Sequence, residues 1–346
     1  MTDPAAPAFT EPAWKALLPP PVETWSRPEE YIVDRPLELA VETALRLGLP
    51  LLVTGEPGCG KTELANYLAW KLGTAIPRGT DAEGSPAYEY ALRFDIKSDT
   101  RARDLFYGID LVERFHAGGR GGGPGSLDPL NFIRFNALGR ALIYARPPDE
   151  LAARLLPWQA HPGTPQRSVV LIDEIDKAPS DVPNDLLMEV EKMRFVISEM
   201  NRVVEAPPAL RPILIVTSNT ERPLPDAFLR RCAYYHIPFP EPARLIEIVA
   251  TKLRKPGEAT AASAVPATLV EDATAAFLAV RKLPLRKKPA TAELLGFVHA
   301  LLNAGFGLAD KLGDAAKWEP IARVTLLKTR EDQAKPFPPI VPLALG

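Results

Sequence analysis

Cysteine is scarce: Cys59 and Cys232 are the two in 346 residues. A pair of thiols in so long a chain is no disulfide framework, and a reducing compartment is expected. Four histidines add no zinc-ligand spacing. No apolar run approaches the about 20 residues of a membrane-spanning helix. The first residues lack a basic region followed by an apolar stretch, so no secretory signal is expected. Charge of one sign is lacking too. Lys and Arg number 41 against 43 Asp and Glu, a net charge of -2 with pI about 6.2. Nothing in that balance points to nucleic acid. These absences make a cytoplasmic protein the expectation.

Hydrophobic residues reach 46% and charged residues 24%, ordinary values for a folded globular chain. The length suits about two domains and a core that needs no staple. Proline is abundant at 38, gathered at the ends and in connections. Residues 1–28 carry Ala and Pro without apolar periodicity and read as an extended, weakly ordered lead-in. A helical pattern follows from Tyr31, with Leu37, Val41, Leu45 and Leu47 on one face and a stop near Gly48 and Pro50.

Five candidate strands come next: Leu51-Leu52-Val53, Tyr90 to Phe94, Val169 to Ile172, Ile213 to Val216 and, weakest, Tyr234 to Ile237. Continuous apolar runs suggest strands buried on both faces of a parallel sheet. Helical patterns between them complete a layered α/β domain over 29–241. Within it, Ala117 to Pro129 is too glycine-rich for regular structure and reads as a connector. From 242 to 332 Ala, Leu and Lys dominate, and a small helical domain is expected, with one short β-branched stretch near Val324. Residues 333–346 form a proline-rich tail.

The strongest signal is Gly55-Glu56-Pro57-Gly58-Cys59-Gly60-Lys61-Thr62, between a strand and a helix that also carries Glu63. This spacing is a phosphate loop. Glycines let backbone N–H groups turn toward phosphate oxygens, and the helix start adds its dipole. Lys61 is expected to bridge the β- and γ-phosphates, and Thr62 to give its hydroxyl to Mg²⁺. Asp173 and Glu174 end the third strand, where ligands of parallel sheets collect. Asp173 is expected to hold Mg²⁺ through water, and Glu174 to orient the attacking water. Asn219, at the next strand end, suits the same water or the γ-phosphate. Arg230 or Arg231, with Arg231 first, is expected to reach a neighbouring subunit's γ-phosphate. The cations Arg286, Lys287 and Lys288 precede a helix and are candidates to report nucleotide state.

Taken together, GEPGCGKT (55–62), VVLIDEIDKAP (169–179), TSNTERPLPDAFLRRC (217–232) and LRKKPATAELL (285–295) resemble a MoxR-type AAA+ ATPase. Asp104-Leu105-Phe106-Tyr107-Gly108 strengthens the resemblance, which runs from Tyr31 to Asp332. It implies a P-loop NTPase core of five parallel strands with a helical lid and an insert over about 101–135. It implies a hexameric ring with ATP at subunit interfaces, and a segment facing the pore or a client. It further implies a chaperone-like role, with a von Willebrand factor A domain protein as a partner. Lys61 and Thr62 then match Walker A, Asp173 and Glu174 Walker B, Asn219 sensor 1 and Arg231 the arginine finger. Sensor 2 falls among Arg286, Lys287 and Lys288, with Lys288 expected as the nucleotide contact. Cys59 stands where Thr or Ser is more usual. A thiol at a helix start is expected to ionise more easily, which makes Cys59 a target for nucleotide-protected alkylation. The competing classes are a nucleic-acid-translocating ring ATPase and a nucleotide-gated scaffold with little hydrolysis.

Overall fold

A computed structural model describes residues 27–80, 86–119, 128–253, 268–340 and 343. The readings made for residues 1–26, most of the glycine-rich stretch and the last of the tail lie outside these. The described residues divide into two compact units: Tyr31–Phe239, and those from Pro240 onward together with 27–30.

The first unit is built on a five-stranded parallel sheet. Its strands are β1 (Leu51–Gly55), β4 (Leu92–Asp95), β7 (Val169–Asp173), β10 (Ile213–Ser218) and β11 (Ala233–Ile237), in the order β11-β1-β10-β7-β4. Central β1 and β7 are buried at every residue. Successive side chains alternate faces, and here both faces are apolar. Leu51, Val53, Val169, Leu171 and Ile215 enter one core cluster, while Leu52, Val170, Ile172, Leu214 and Val216 enter the other. That is why these strands read as unbroken apolar runs. The outer strand β11 alternates in exposure and gives the weakest signal.

Helix α1 (Arg35–Leu47) begins where the Asp34 carboxylate accepts the Leu37 N–H at 2.9 Å, and ends at Gly48 with φ 64°. Its buried face is Leu37, Val41 and Ala44, whereas Leu47 is exposed. The expected stripe is therefore shifted, because Ala44 at i+7 from Leu37 fills the face that Leu47 leaves. Helix α2 (Lys61–Lys71) packs Leu64, Ala65, Leu68 and Ala69 into the same cluster.

Three two-stranded ribbons have no counterpart in the five expected strands. They are β2 (Ile76–Thr80) with β3 (Pro86–Glu89), β5 (Tyr107–Ile109) with β6 (Ile133–Phe135), and β8 (Arg194–Ile197) with β9 (Arg202–Glu205). Between β5 and β6 runs helix α3 (Leu111–Gly119), so the start of the glycine-rich stretch is helical. The β5/β6 ribbon rests on α4 (Ala137–Tyr144), a helix buried at every position. Gly139 permits this: a Cβ there would lie 2.0 Å from the Phe106 carbonyl oxygen. The Phe106 oxygen accepts the Asn136 N–H at 2.9 Å, and the Tyr107 hydroxyl donates to Glu199 at 3.0 Å. Both inserted ribbons are thereby tied together.

Helices α5 (Val182–Lys192) and α6 (Asp226–Leu229) complete this unit. The second unit is helical: α7 (Pro242–Lys252), α8 (Thr268–Arg281), α9 (Thr291–Asn303), α10 (Ala315–Leu326) and α11 (Arg330–Gln333). The β-branched stretch near Val324 is not extended but lies in α10. Burial of Trp318, Ala322 and Leu326 at four-residue steps fixes a helix there and leaves Val324 on the exposed side.

Candidate functional site

The carboxyl ends of β1, β7 and β10 gather most of the residues singled out by sequence. The loop after β1 turns with positive φ at Gly55 (154°), Gly58 (74°) and Gly60 (92°), values that favour glycine. A Cβ at Gly55 would sit 2.8 Å from Cys59 Sγ and 2.9 Å from the Ile237 carbonyl oxygen. A side chain at Gly60 would press on the Tyr31 ring. Glu56 and Pro57 are exposed on the loop, and Glu63 lies in the first turn of α2. Lys61 is 7% exposed, and its ammonium donates to the carbonyls of Gly55 at 2.8 Å and Glu56 at 3.1 Å.

The Thr62 hydroxyl donates to Asp173 Oδ2 at 3.2 Å. Asp173 is 6% exposed and also receives the Thr217 hydroxyl and, at 2.9 Å, the Arg93 guanidinium from neighbouring β4. Glu174 follows with φ 60°, a left-handed conformation uncommon outside glycine. Its N–H donates to Thr217 Oγ1 at 2.9 Å, and its Oε1 accepts from Asn219 Nδ2 at 3.0 Å. Thus two adjacent strand ends supply a carboxylate and an amide that face each other.

Three residues of this cluster carried no sequence signal strong enough to be singled out. Arg93 reaches Asp173 across the sheet, which only strand order reveals. Lys177 pairs with Glu174 three residues back, and this carboxylate raises its pKa, chiefly through the hydrogen bond. Asp176 accepts the N–H groups of Asn219 at 3.3 Å and Glu221 at 2.9 Å. It fixes the chain that carries Asn219. The i, i+3 spacing of Glu174 and Lys177 was the available hint for the second.

The reading of Cys59 is corrected in direction. Burial pushes its thiol pKa up, and neither Lys61 nor the local N–H groups compensate. Cys232 is pushed up to about 12 by burial alone.

Arg230 and Arg231 are not brought to this cluster. They follow α6 and precede β11, whose first residue Ala233 is level with Leu51, at the amino end of β1. The loop lies past Gly55, four strand steps away or roughly 13 Å along the sheet. Both guanidiniums are exposed, and neither has a hydrogen-bond or ion-pair partner among the described residues. Arg231 lines a cavity of about 580 Å³ with Arg46, Arg167 and Arg211 above buried Leu187 and Met193. Lys288 belongs to the helical unit, where it is exposed beside Arg286 and Lys287.

The donor set at β7 is oxygen from Thr62 and Asp173, which suits a hard cation such as Mg²⁺. Among the described residues no group of three or more His, Cys, Asp or Glu is arranged to hold a metal by itself. Mg²⁺ shared with substrate phosphates needs no such cage.

Two solved structures are similar to parts of the chain. One is a candidate ATPase from Cytophaga hutchinsonii, at 15% identity and TM-score 0.37, covering 66% of this chain and 53% of that one. The other is NtrX from Brucella abortus in complex with ADP, at 13% identity and TM-score 0.40, covering 84% and 55%. The chain thus spans about half the length of each. No curated protein matches it. The family model of the AAA domain, dynein-related subfamily, matches residues 50–232, which contain the glycine loop, the Asp173–Glu174 pair, Asn219 and both arginines. With that match over half its length, the chain belongs to the AAA domain family, in its dynein-related subfamily.

Proposed function

We propose that this protein hydrolyses ATP at the carboxyl end of its sheet, in the manner of a MoxR-type AAA+ ATPase. The observation that carries the reading is the pairing of Glu174 with Asn219 at 3.0 Å, beside Thr62 and Asp173 at 3.2 Å. A kinase needs no carboxylate to activate water; a hydrolase does.

In this reading the N–H groups of Gly55, Glu56, Gly58, Cys59 and Gly60 onward line the phosphates, and Pro57, which has no N–H, contributes shape alone. Lys61 exchanges its loop carbonyls for β- and γ-phosphate oxygens. Thr62 and Asp173 are the residues that would hold Mg²⁺, whose chemistry there is neutralisation of phosphate charge. Glu174 takes the proton of the attacking water, and Asn219 orients that water and restrains the carboxylate. Arg231, with Arg230 behind it, acts on the site of a second copy, because its own loop lies at the other end of the strands. Lys288 takes the role of nucleotide sensor that the family resemblance implies. Assembly into a ring, six-membered by family resemblance, follows from that division of labour. The work done is remodelling or assembly of partner proteins, with a von Willebrand factor A domain protein as the expected companion, in the cytoplasm.

The test is ATP turnover per chain over a wide range of protein concentration with Mg²⁺. Specific activity should rise steeply as copies assemble, and Arg231→Ala should abolish the rise. Flat turnover from a monomeric species would remove the shared site. Turnover stimulated by DNA or RNA would instead favour a nucleic-acid motor.

A further inference from the structure

Asp173, read above as a holder of Mg²⁺, takes three donors from its own unit. Thr217 donates its hydroxyl to Oδ1, Thr62 donates to Oδ2 at 3.2 Å, and the Arg93 guanidinium meets the same Oδ2 at 2.9 Å. Both hydroxyls belong to motifs quoted from the sequence; the cation does not. Arg93 lies on β4 level with Leu171, two residues short of Asp173. Its side chain therefore leans roughly 7 Å along the strand to reach the carboxyl end. The residue level with Asp173 is Asp95, whose Oδ1 accepts Arg93 Nε at 2.7 Å and lies 2.7 Å from Nη2. One nitrogen, Nη2, thus serves both carboxylates.

The two carboxylates differ in burial: the Asp173 side chain is 8% exposed and that of Asp95 58%. A buried carboxylate needs a counter-cation, whereas an exposed pair gains little. The hydroxyls of Thr62 and Thr217 satisfy hydrogen bonding at Asp173 but leave its charge, and Arg93 supplies the compensation. Arg93 accordingly gains more on Asp173 than on Asp95, while Asp95 keeps it tethered. A second cation at Oδ2 would be repelled by the first at contact distance. Arg93 and a metal held by Asp173 are therefore rivals for one oxygen, and Asp95 gives the loser a seat.

We propose that Arg93 is a built-in competitor for the metal: it seats on Asp173 Oδ2, yields that oxygen to Mg²⁺ while remaining on Asp95, and so sets the Mg²⁺ concentration at which nucleotide is held tightly. The proposal rests on the reading above that Thr62 and Asp173 hold Mg²⁺. It gives β4, which carries none of the residues singled out by sequence, a part in the site.

The experiment measures binding of a fluorescent ADP to the full chain, first in EDTA and then over a range of free Mg²⁺, with no turnover involved. Arg93→Gln should lower the midpoint Mg²⁺ concentration about tenfold, the factor expected when a competing state holding about nine-tenths of the population is removed. Its ADP affinity in EDTA should stay within about twofold of the parent, which also shows that the variant is folded. Arg93→Lys keeps the charge but loses the planar fork that spans both carboxylates, and should shift the midpoint partway in the same direction. Lys97→Gln removes one positive charge two positions past Asp95, from an exposed side chain with no partner among the described residues. It should shift the midpoint by less than about twofold. An unchanged midpoint in both Arg93 variants overturns the proposal. So does a higher midpoint in Arg93→Gln, which would make Arg93 a support of the metal site. An equal shift from Lys97→Gln also overturns it, since the cause would then be the field of any nearby charge. If the parent itself shows no Mg²⁺ dependence, the metal reading of Thr62 and Asp173 falls and takes this proposal with it.

Discussion

The two ends of the parallel sheet are built on opposite plans. At the carboxyl end the polar groups satisfy one another: Lys61 on loop carbonyls, Thr62 on Asp173, Asn219 on Glu174. At the amino end the Arg231 guanidinium has no partner among the described residues and lines a cavity with Arg46, Arg167, Arg211 and one carboxylate, Glu191. Within one copy the fold keeps these halves apart, because β1 and β11 are parallel and in register from Leu51–Ala233 to Gly55–Ile237. In the reading proposed above, the oxygen-rich end of one copy would meet Arg231 of another, which makes the contact heterologous. Heterologous contacts of this kind generate rings when they close.

The largest expected effect tests that separation directly. Arg231→Ala should lower turnover by about 10³-fold, the scale of an arginine supplied in trans. Mixing it with Lys61→Ala, itself inactive, should restore part of the activity, because mixed assemblies contain intact pairs of ends. Absence of recovery in a mixture shown to co-assemble would mean that both residues serve the same copy. Next comes Glu174→Gln, expected to cost about 10²- to 10³-fold in kcat with nucleotide binding retained. A loss of binding would move Glu174 from water activation to structure. Asn219→Ala should cost less, about tenfold, since Asp176 still holds the neighbouring backbone.

The smallest expected effects concern the two thiols, one near each end. Both pKa values are raised by burial, so the unreactive protonated form is favoured. Alkylation of either should be slow at neutral pH. The rate at Cys232 should climb with pH until about 12. Fast labelling of Cys59 at pH 7, blocked by ATP, would reverse the direction assigned to it.

How far the sequence could be read differs between these ends in the same way. The glycine loop, Asp173, Glu174 and Asn219 were legible because each sits where an unbroken apolar run stops, and such runs mark strands buried on both faces. Arg93 was not, since its contact with Asp173 exists only through the pairing of β4 with β7. The ribbons β5/β6 and β8/β9 were missed for a related reason. Three- and four-residue strands carry too little alternation, and β5 pairs with a segment more than twenty residues away. β2 contains Pro77 and Gly79, which argue against a strand when read locally. Helix α1 ends where expected but begins at Arg35 rather than Tyr31, and its face was shifted, since Ala44 counted for less than Leu47 in a periodic reading. The raised pKa of Cys59 depends on burial by distant residues, and a local rule about helix starts gave the opposite direction.

Gly139 has a consequence of scale. The seat of the inserted ribbon on α4 is set by a hydrogen atom where every other residue has carbon, with 2.0 Å between the Phe106 oxygen and any added Cβ. A single methyl group there would lift Phe106, and with it Tyr107, whose hydroxyl is the link to the second ribbon. One alanine would thus displace both ribbons at once while leaving every residue of the phosphate loop unaltered.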